Sequence, residues 1–203
     1  TPRRLRIVTA WIGALAVLTP LAAQADFAAG MAAARQGDFA TALAEWTPLA
    51  QAGDREAQMN LALMYEKGRG VEADPLRALE LFLAAADQGH SLAAYWAGLA
   101  YQMGKGVPVD SDQAVRWFRA SAESGHPGGI YELGYSYHQG EGVAADSQEA
   151  LKWFYIAAAL RWGGAIPARN FTEKELNAEQ IEAASQAADA WFAAHPDILP
   201  QER

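Results

Sequence analysis

No cysteine occurs anywhere in the chain, so there is no disulfide framework, and an oxidising compartment would leave no mark of that kind on it. Basic residues are in deficit: 16 lysines and arginines stand against 24 aspartates and glutamates, a net charge of −8. A body that acidic is a poor nucleic-acid ligand, because phosphate contacts dominate such affinity. It is also repelled from anionic lipid surfaces. The histidines are His90, His126, His138 and His195, with no H-E-x-x-H or other clustered ligand spacing. The pattern G-x-x-x-x-G-K-[S/T] is missing. Gly134-Tyr135-Ser136-Tyr137-His138 lacks the final glycine of a nucleophile elbow and lies in a helical pattern. These absences leave no catalytic residue, no metal ligand set and no cofactor to nominate.

What the chain does have is a period. From Arg55 onward, landmarks return every 36 residues without a gap: Tyr65, Tyr101, Tyr137; Gly68, Gly104, Gly140; Gly70, Gly106, Gly142. Val71, Asp74, Ala78 and Phe82 recur in the same register, ending at Val143, Asp146, Ala150 and Phe154. A fixed period of this size marks a repeat array. His90 and His126 are repeat equivalents, so stacking separates them by a whole unit and they cannot share a metal. The recurring Gly-x-Gly turns need no phosphate, since they are accounted for as helix-ending turns.

Each unit reads as helix, turn, helix. Ala57, Leu61, Ala62 and Tyr65 fall on one helical face. Gly68 ends that helix and Gly70 supplies a second position where positive φ costs little. Val71 is an apolar plug in a polar turn. Asp74-Pro75 opens the second helix with a carboxylate cap and a proline at the first helical position, and Asp110 and Asp146 repeat the cap. Glu149 and Gln113 are placed to complete capping boxes. Ala78, Leu79, Phe82, Ala85 and Ala86 form the buried stripe.

At these residues the chain resembles the SEL-like (Sel-one) repeat family, a relative of tetratricopeptide repeats. The pattern is A-x-x-x-L-G-x-x-Y-x-x-G-x-G-V-x-x-D-x-x-x-A-x-x-W-(F/Y)-x-x-A-A-x-x-G-(H/N). The second unit carries Gly98, Tyr101, Gly104, Gly106, Val107, Asp110, Ala114, Trp117, Phe118, Ala122 and Gly125-His126. The third carries Leu133-Gly134, Tyr137, Gly140, Gly142, Val143, Asp146, Ala150, Trp153-Phe154 and Ala157-Ala158. Ala62 stands for the first glycine, Leu81 for the tryptophan, and Arg161-Trp162 replaces the terminal Gly-His, where stacking stops or shifts register. The resemblance implies an all-α, right-handed α/α solenoid of about nine helices. It makes Trp117 and Trp153 structural.

The expected organisation is an export segment at 1–25, a capping helix pair at 26–54, repeats at 55–90, 91–126 and 127–162, and a C-terminal cap and tail at 163–203. Arg3, Arg4 and Arg6 precede an apolar core, Ile7 to Leu18, then Pro20 and the small-x-small site Ala23-Gln24-Ala25. That is the layout of a secretory signal peptide, and the core is short for a span. The expectation is a periplasmic protein; an uncleaved anchor at 7–23, holding it on the inner membrane facing the periplasm, is the alternative. Cleavage removes three of the basic residues and none of the acidic ones, leaving the body more acidic still. Phe27 to Gln36 and Phe39 to Ala52 read as the first helix pair, with Pro48 bending the second. Gly163 to Asn170 reads as a loop. Asn177 starts a last helix running to about Ala194, with Asp197 to Arg203 a loose tail.

If first helices line the inner surface, as in tetratricopeptide arrays, their non-core positions face a groove. The groove residues expected are Met59, Leu63, Tyr95, Leu99, Gln102, Met103, Tyr131, Tyr135 and His138. Tyrosine, methionine and leucine on such a face mark an interaction site, unless the next helix covers them. The function expected is a non-enzymatic, exported adaptor holding a peptide or partner protein. The alternatives are an accessory subunit of a membrane complex and, through cysteine-rich family members whose paired cysteines this chain lacks, a cell-wall or β-lactam hydrolase.

Overall fold

The computed structural model describes residues 25–198. The expected export segment and residues 199–203 of the tail lie outside the described residues, save for Ala25. The described chain holds ten α-helices and no strand: α1 (Phe27–Arg35), α2 (Phe39–Gln51), α3 (Arg55–Lys67), α4 (Pro75–Ala86), α5 (Ser91–Met103), α6 (Ser111–Glu123), α7 (Pro127–Gln139), α8 (Ser147–Ala159), α9 (Ala165–Thr172) and α10 (Ala178–Ala194). Consecutive helices pack as hairpins, and each hairpin packs on the next. The result is an α/α solenoid whose core is spread along its length, as a repeat array requires.

Local chemistry sets the boundaries. Asp38, Asp74, Asp110 and Asp146 each accept a hydrogen bond from the backbone N–H three residues on, at 3.1, 3.0, 3.0 and 2.9 Å. Gly68, Gly104 and Gly140 end the first helices in left-handed conformation, φ 63°, 67° and 70°. The second glycine of each turn is required twice over. Gly142 has φ 69°, and a Cβ there would collide with the carbonyl of Ser111. Gly106 meets Pro75 and Leu76, and Gly70 meets Phe39, in the same way. Each turn thus rests on the start of the preceding repeat's second helix, leaving no room for a side chain. The expected capping box at Asp146 does not close. The Glu149 carboxylate instead accepts from Trp153 Nε1 at 2.9 Å and pairs with Lys152.

The array begins before Arg55. Asp38, Ala42 and Trp46 fall one period before Asp74, Ala78 and Phe82, and Ala42 and Trp46 are buried as their counterparts are. Gly30 lies against the Trp46 indole just as Gly98 and Gly134 lie against Phe118 and Phe154. The turn Gln36–Asp38 is four residues shorter than Gly68–Asp74. The first hairpin thus packs in the register of a repeat, with a shortened turn.

Its far end departs from the sequence reading. Arg161 takes the positive-φ position of Gly53, Gly89 and Gly125, with φ 59°. Trp162 replaces the capping residues Asp54, His90 and His126. The segment read as a loop nevertheless forms α9, because α8 offers an apolar face that the next first helix must cover. Tyr155 Oη donates to Glu173 at 2.8 Å and ties the turn Glu173–Glu175 to α8. Burial first, then Glu173, pushes that phenol up to about 12. α10 packs on α8, burying Ala184 and Ala188 and setting Trp191 across Trp153 at 6.2 Å. The capping box of Asn177 and Gln180 closes in both directions, at 2.9 and 3.1 Å. Ile198, in the segment read as a loose tail, is seated against Gly125.

Candidate partner-binding site

The first helices α5 and α7 touch directly, and the end of α3 reaches α5, with the Lys67 ammonium over the Trp96 ring at 5.3 Å. Along this face the residues separate into two clefts rather than one strip. The larger, about 420 Å³, is lined by Tyr131, Tyr135, His138, Phe154, Pro167 and Phe171, among others. The smaller, about 210 Å³, lies between the first hairpin and α3, where Leu63 joins Met31, Phe39, Asn60, Arg35 and Arg69.

Of the nine expected groove residues, three share the larger cleft. Tyr135 is 38 % exposed there. Tyr131 packs on Phe154 at 5.7 Å between ring centres. His138 stands edge-on to Phe171 at 5.7 Å, its Nδ1 3.6 Å from Glu175 Oε2; that is ion-pair range and longer than a hydrogen bond. Tyr95 is half-buried beneath the chain that leaves the last repeat, 4.9 Å from His126 and 6.3 Å from Trp162. Leu99 lines a narrow hollow beside the Glu66–Lys105 pair. Gln102 is half-buried and Met103 is 51 % exposed. Met59 does not belong to the face at all, being 3 % exposed and part of the core. Its place one turn before Leu63 packs it between helices.

The next element does cover part of the face. Gly128 is tight against both Trp162 and Tyr95, at 3.0 and 3.1 Å for an added Cβ, and Gly164 against Tyr131 at 3.2 Å. The larger cleft is consequently built half by α7 and half by α9. Sequence reasoning missed Pro167 and Phe171 on α9, and Phe154 of α8 at the floor. Phe171 is 58 % exposed. The signal was available in Arg161-Trp162, the first break in the period. It also missed Glu132, whose carboxyl burial holds above the ordinary glutamate range. Burial, with Glu132 second, raises the hydroxyls of Tyr95 and Tyr131 as well. Chemically the face presents aromatic planes, phenol hydroxyls and two carboxylates drawn out of water, Glu66 paired with Lys105 and Glu132 without an ion pair. Among the described residues no three histidine, aspartate or glutamate side chains converge as a metal site.

Helix hairpins in fixed register, stacked through a small residue against an aromatic, define an α/α solenoid repeat protein. The family model for the Sel1 repeat matches residues 55–90, 91–126 and 127–161. The chain belongs to the Sel1 repeat family. It is similar to the crystal structure of a Sel1 repeat protein from Oxalobacter formigenes, at 32 % identity and TM-score 0.59, over 63 % of this chain and 96 % of that one. It is also similar to c5321, a protective antigen present in uropathogenic Escherichia coli strains displaying an SLR fold. That likeness has 26 % identity and TM-score 0.58 over 87 % of this chain, which spans 48 % of c5321's. No curated protein matches the chain. Sel1 repeat proteins generally mediate protein–protein interaction and are typically non-enzymatic scaffolds.

Proposed function

We propose that this chain is an exported, non-enzymatic adaptor that holds a segment of a partner protein on the face of α3, α5 and α7. The observation that carries the reading is the cleft between α7 and α9, where Tyr135 and Phe171 remain exposed around a packed aromatic floor. Monomeric proteins seldom leave contiguous aromatic surface in water unless something binds it, and tyrosine is enriched where binding energy concentrates. Residues for engagement are Tyr131, Tyr135, His138 and Phe171 in that cleft, with Tyr95, Leu99, Gln102 and Met103 beside it and Leu63 in the second cleft.

Export rests on the arginine start, the apolar stretch and the Ala23-Gln24-Ala25 site. No helix among the described residues is long and apolar enough to cross a membrane. An intact mass retaining Arg3 to Ala25 would favour the tethered membrane-complex subunit. The binding test is cross-linking and affinity capture from the native envelope, comparing wild type with Tyr135→Ala/Phe171→Ala. A partner lost only from the variant supports the cleft. One held equally by both moves the interface elsewhere on the molecule.

A further inference from the structure

Glu132 is the half-buried acid on this face that the fold leaves uncompensated. Glu66 is held by Lys105 at 2.6 Å and Lys67 at 3.7 Å; Glu149 by Lys152 and Trp153; Glu173 by Tyr155 and Arg169. Among the described residues the Glu132 side chain has neither an ion-pair partner nor a hydrogen bond; only its backbone carbonyl is engaged, by Ser136.

Register shows what is missing. One period before Glu132 stands Trp96, and one period before that Asn60, both on the side of the first helix facing the preceding repeat. The Lys67 ammonium, from the end of α3, lies over the Trp96 ring at 5.3 Å. At the next interval Trp96 becomes Glu132 and Lys67 becomes Met103. The interval between α3 and α5 thus carries its own cation. The interval between α5 and α7 has a stronger cation acceptor and no cation at the register position of Lys67.

The surroundings suit a cation from outside. Across the interval on α5 stands Tyr95, whose hydroxyl feels the Glu132 charge, while Tyr131 and Tyr135 of the same helix line the adjoining α7–α9 cleft. A half-buried carboxylate with no protein partner binds ammonium or guanidinium through an ion pair, with cation–π attraction added where a tyrosine ring is in reach. Burial strips part of the hydration from the Glu132 carboxylate, and a cation that pairs with it replaces what was lost. The net charge of −8 draws a basic partner toward the whole surface.

Building on the adaptor reading above, we propose that the interval between α5 and α7 receives a lysine or arginine side chain of the partner segment, seated on the Glu132 carboxylate beside Tyr95. Glu132 is thereby a specificity residue, and the partner is a protein whose bound segment is basic at one fixed position, adjoining apolar residues that enter the α7–α9 cleft.

The test is selection from a random linear peptide library displayed on phage, run against the full chain and against Glu132→Gln. Selected peptides are then synthesised, and their affinities measured with the basic residue replaced by norleucine or citrulline. Glu132→Gln removes a charge at nearly constant volume, and a thermal melt alongside confirms folding. Wild type should return peptides with lysine or arginine enriched at one position. Neutralising that residue should weaken binding about tenfold or more on wild type and hardly at all on Glu132→Gln. Binders without a favoured basic position, or an equal loss on both proteins, would overturn the role of Glu132. Those binders would leave the adaptor reading standing if Tyr135→Ala/Phe171→Ala still lost them. Failure to select any binder would remove both.

Discussion

Trp153 and Glu149 hold each other: the indole Nε1–H donates to the carboxylate at 2.9 Å, with Lys152 on the same oxygen. One period earlier the same tryptophan position, Trp117, has its Nε1 buried with no partner. Gln113 stands where Glu149 does, and Arg116, over the Trp117 ring at 5.6 Å, stands where Lys152 does. The second repeat therefore has the donor and the cation of the third without the carboxylate that joins them.

Gln113→Glu should supply it. A buried unpaired donor costs about 1–3 kcal/mol, and a restored charged acceptor recovers part of that. We expect stabilisation of about 1 kcal/mol, seen as a rise in Tm of about 2–4 °C for a chain of this size. Glu149→Gln should move Tm down by a similar amount. If Gln113→Glu left Tm unchanged, the register would not carry side-chain networks from one repeat to the next.

His126 makes stability depend on pH. Its Nδ1 caps α7 by accepting the Gly129 N–H at 3.3 Å, which only an unprotonated nitrogen can do. Burial, then the neighbouring His90, holds the imidazole below the ordinary histidine range. A depressed folded value means that the unfolded chain takes up the proton first. The stabilisation is complete above the unfolded value of about 6.5 and is lost as pH falls through the folded value. Urea midpoints should drop from pH 7 toward pH 5, and His126→Asn, a cap that does not titrate, should flatten the slope. A slope equally steep in the variant would assign it to other groups.

Two glycines separate backbone requirement from mere loop composition. Gly142 combines φ 69° with a backbone oxygen where a Cβ would sit, whereas Gly163 has nothing within 4 Å of an added Cβ. Gly142→Ala should destabilise by about 2–3 kcal/mol, from left-handed strain and the displaced Ser111 carbonyl together. Gly163→Ala should stay within about 0.5 kcal/mol. Chemical denaturation of the pair reads the difference directly.

Why the repeats were legible and the cleft only half so follows from where the information lies. Asp74, Gly68 and Phe82 each perform a job defined within one repeat or against the next, and the job recurs every period, so three copies in register identify it. α9 has no such copy. Gly163, Gly164 and Pro167 read locally as breakers, and the helix exists because α8 needs its exposed stripe covered. The cleft depends on that long-range demand, so Tyr131, Tyr135 and His138 could be named from the chain while Phe171 could not. Met59 failed for the opposite reason: its position looked free, but the neighbouring hairpin buries it. Glu132 escaped because its helix position, shared with Asn60 and Trp96, turns toward the preceding repeat rather than the expected groove; comparison with Trp96 in register exposes it.

The division between binding surface and core makes the last prediction. Phe154 forms the floor of the cleft and is fully buried, while Tyr135 and Phe171 stand at its walls with much of their surface in water. Truncating the floor should cost about 3–5 kcal/mol, as for other core phenylalanines. Folding buries the walls only in part, so Tyr135→Ala and Phe171→Ala should each cost about 1–2 kcal/mol, well below the floor. Their effect should fall on binding instead, about tenfold or more per residue if either anchors the partner. Denaturation curves and calorimetric titration of a selected peptide measure both quantities on the same samples. If Phe171→Ala unfolded the chain as readily as Phe154→Ala, α9 would be core. If it left binding untouched while Tyr135→Ala abolished it, the partner would lie along α7 alone, with α9 serving only to close the array.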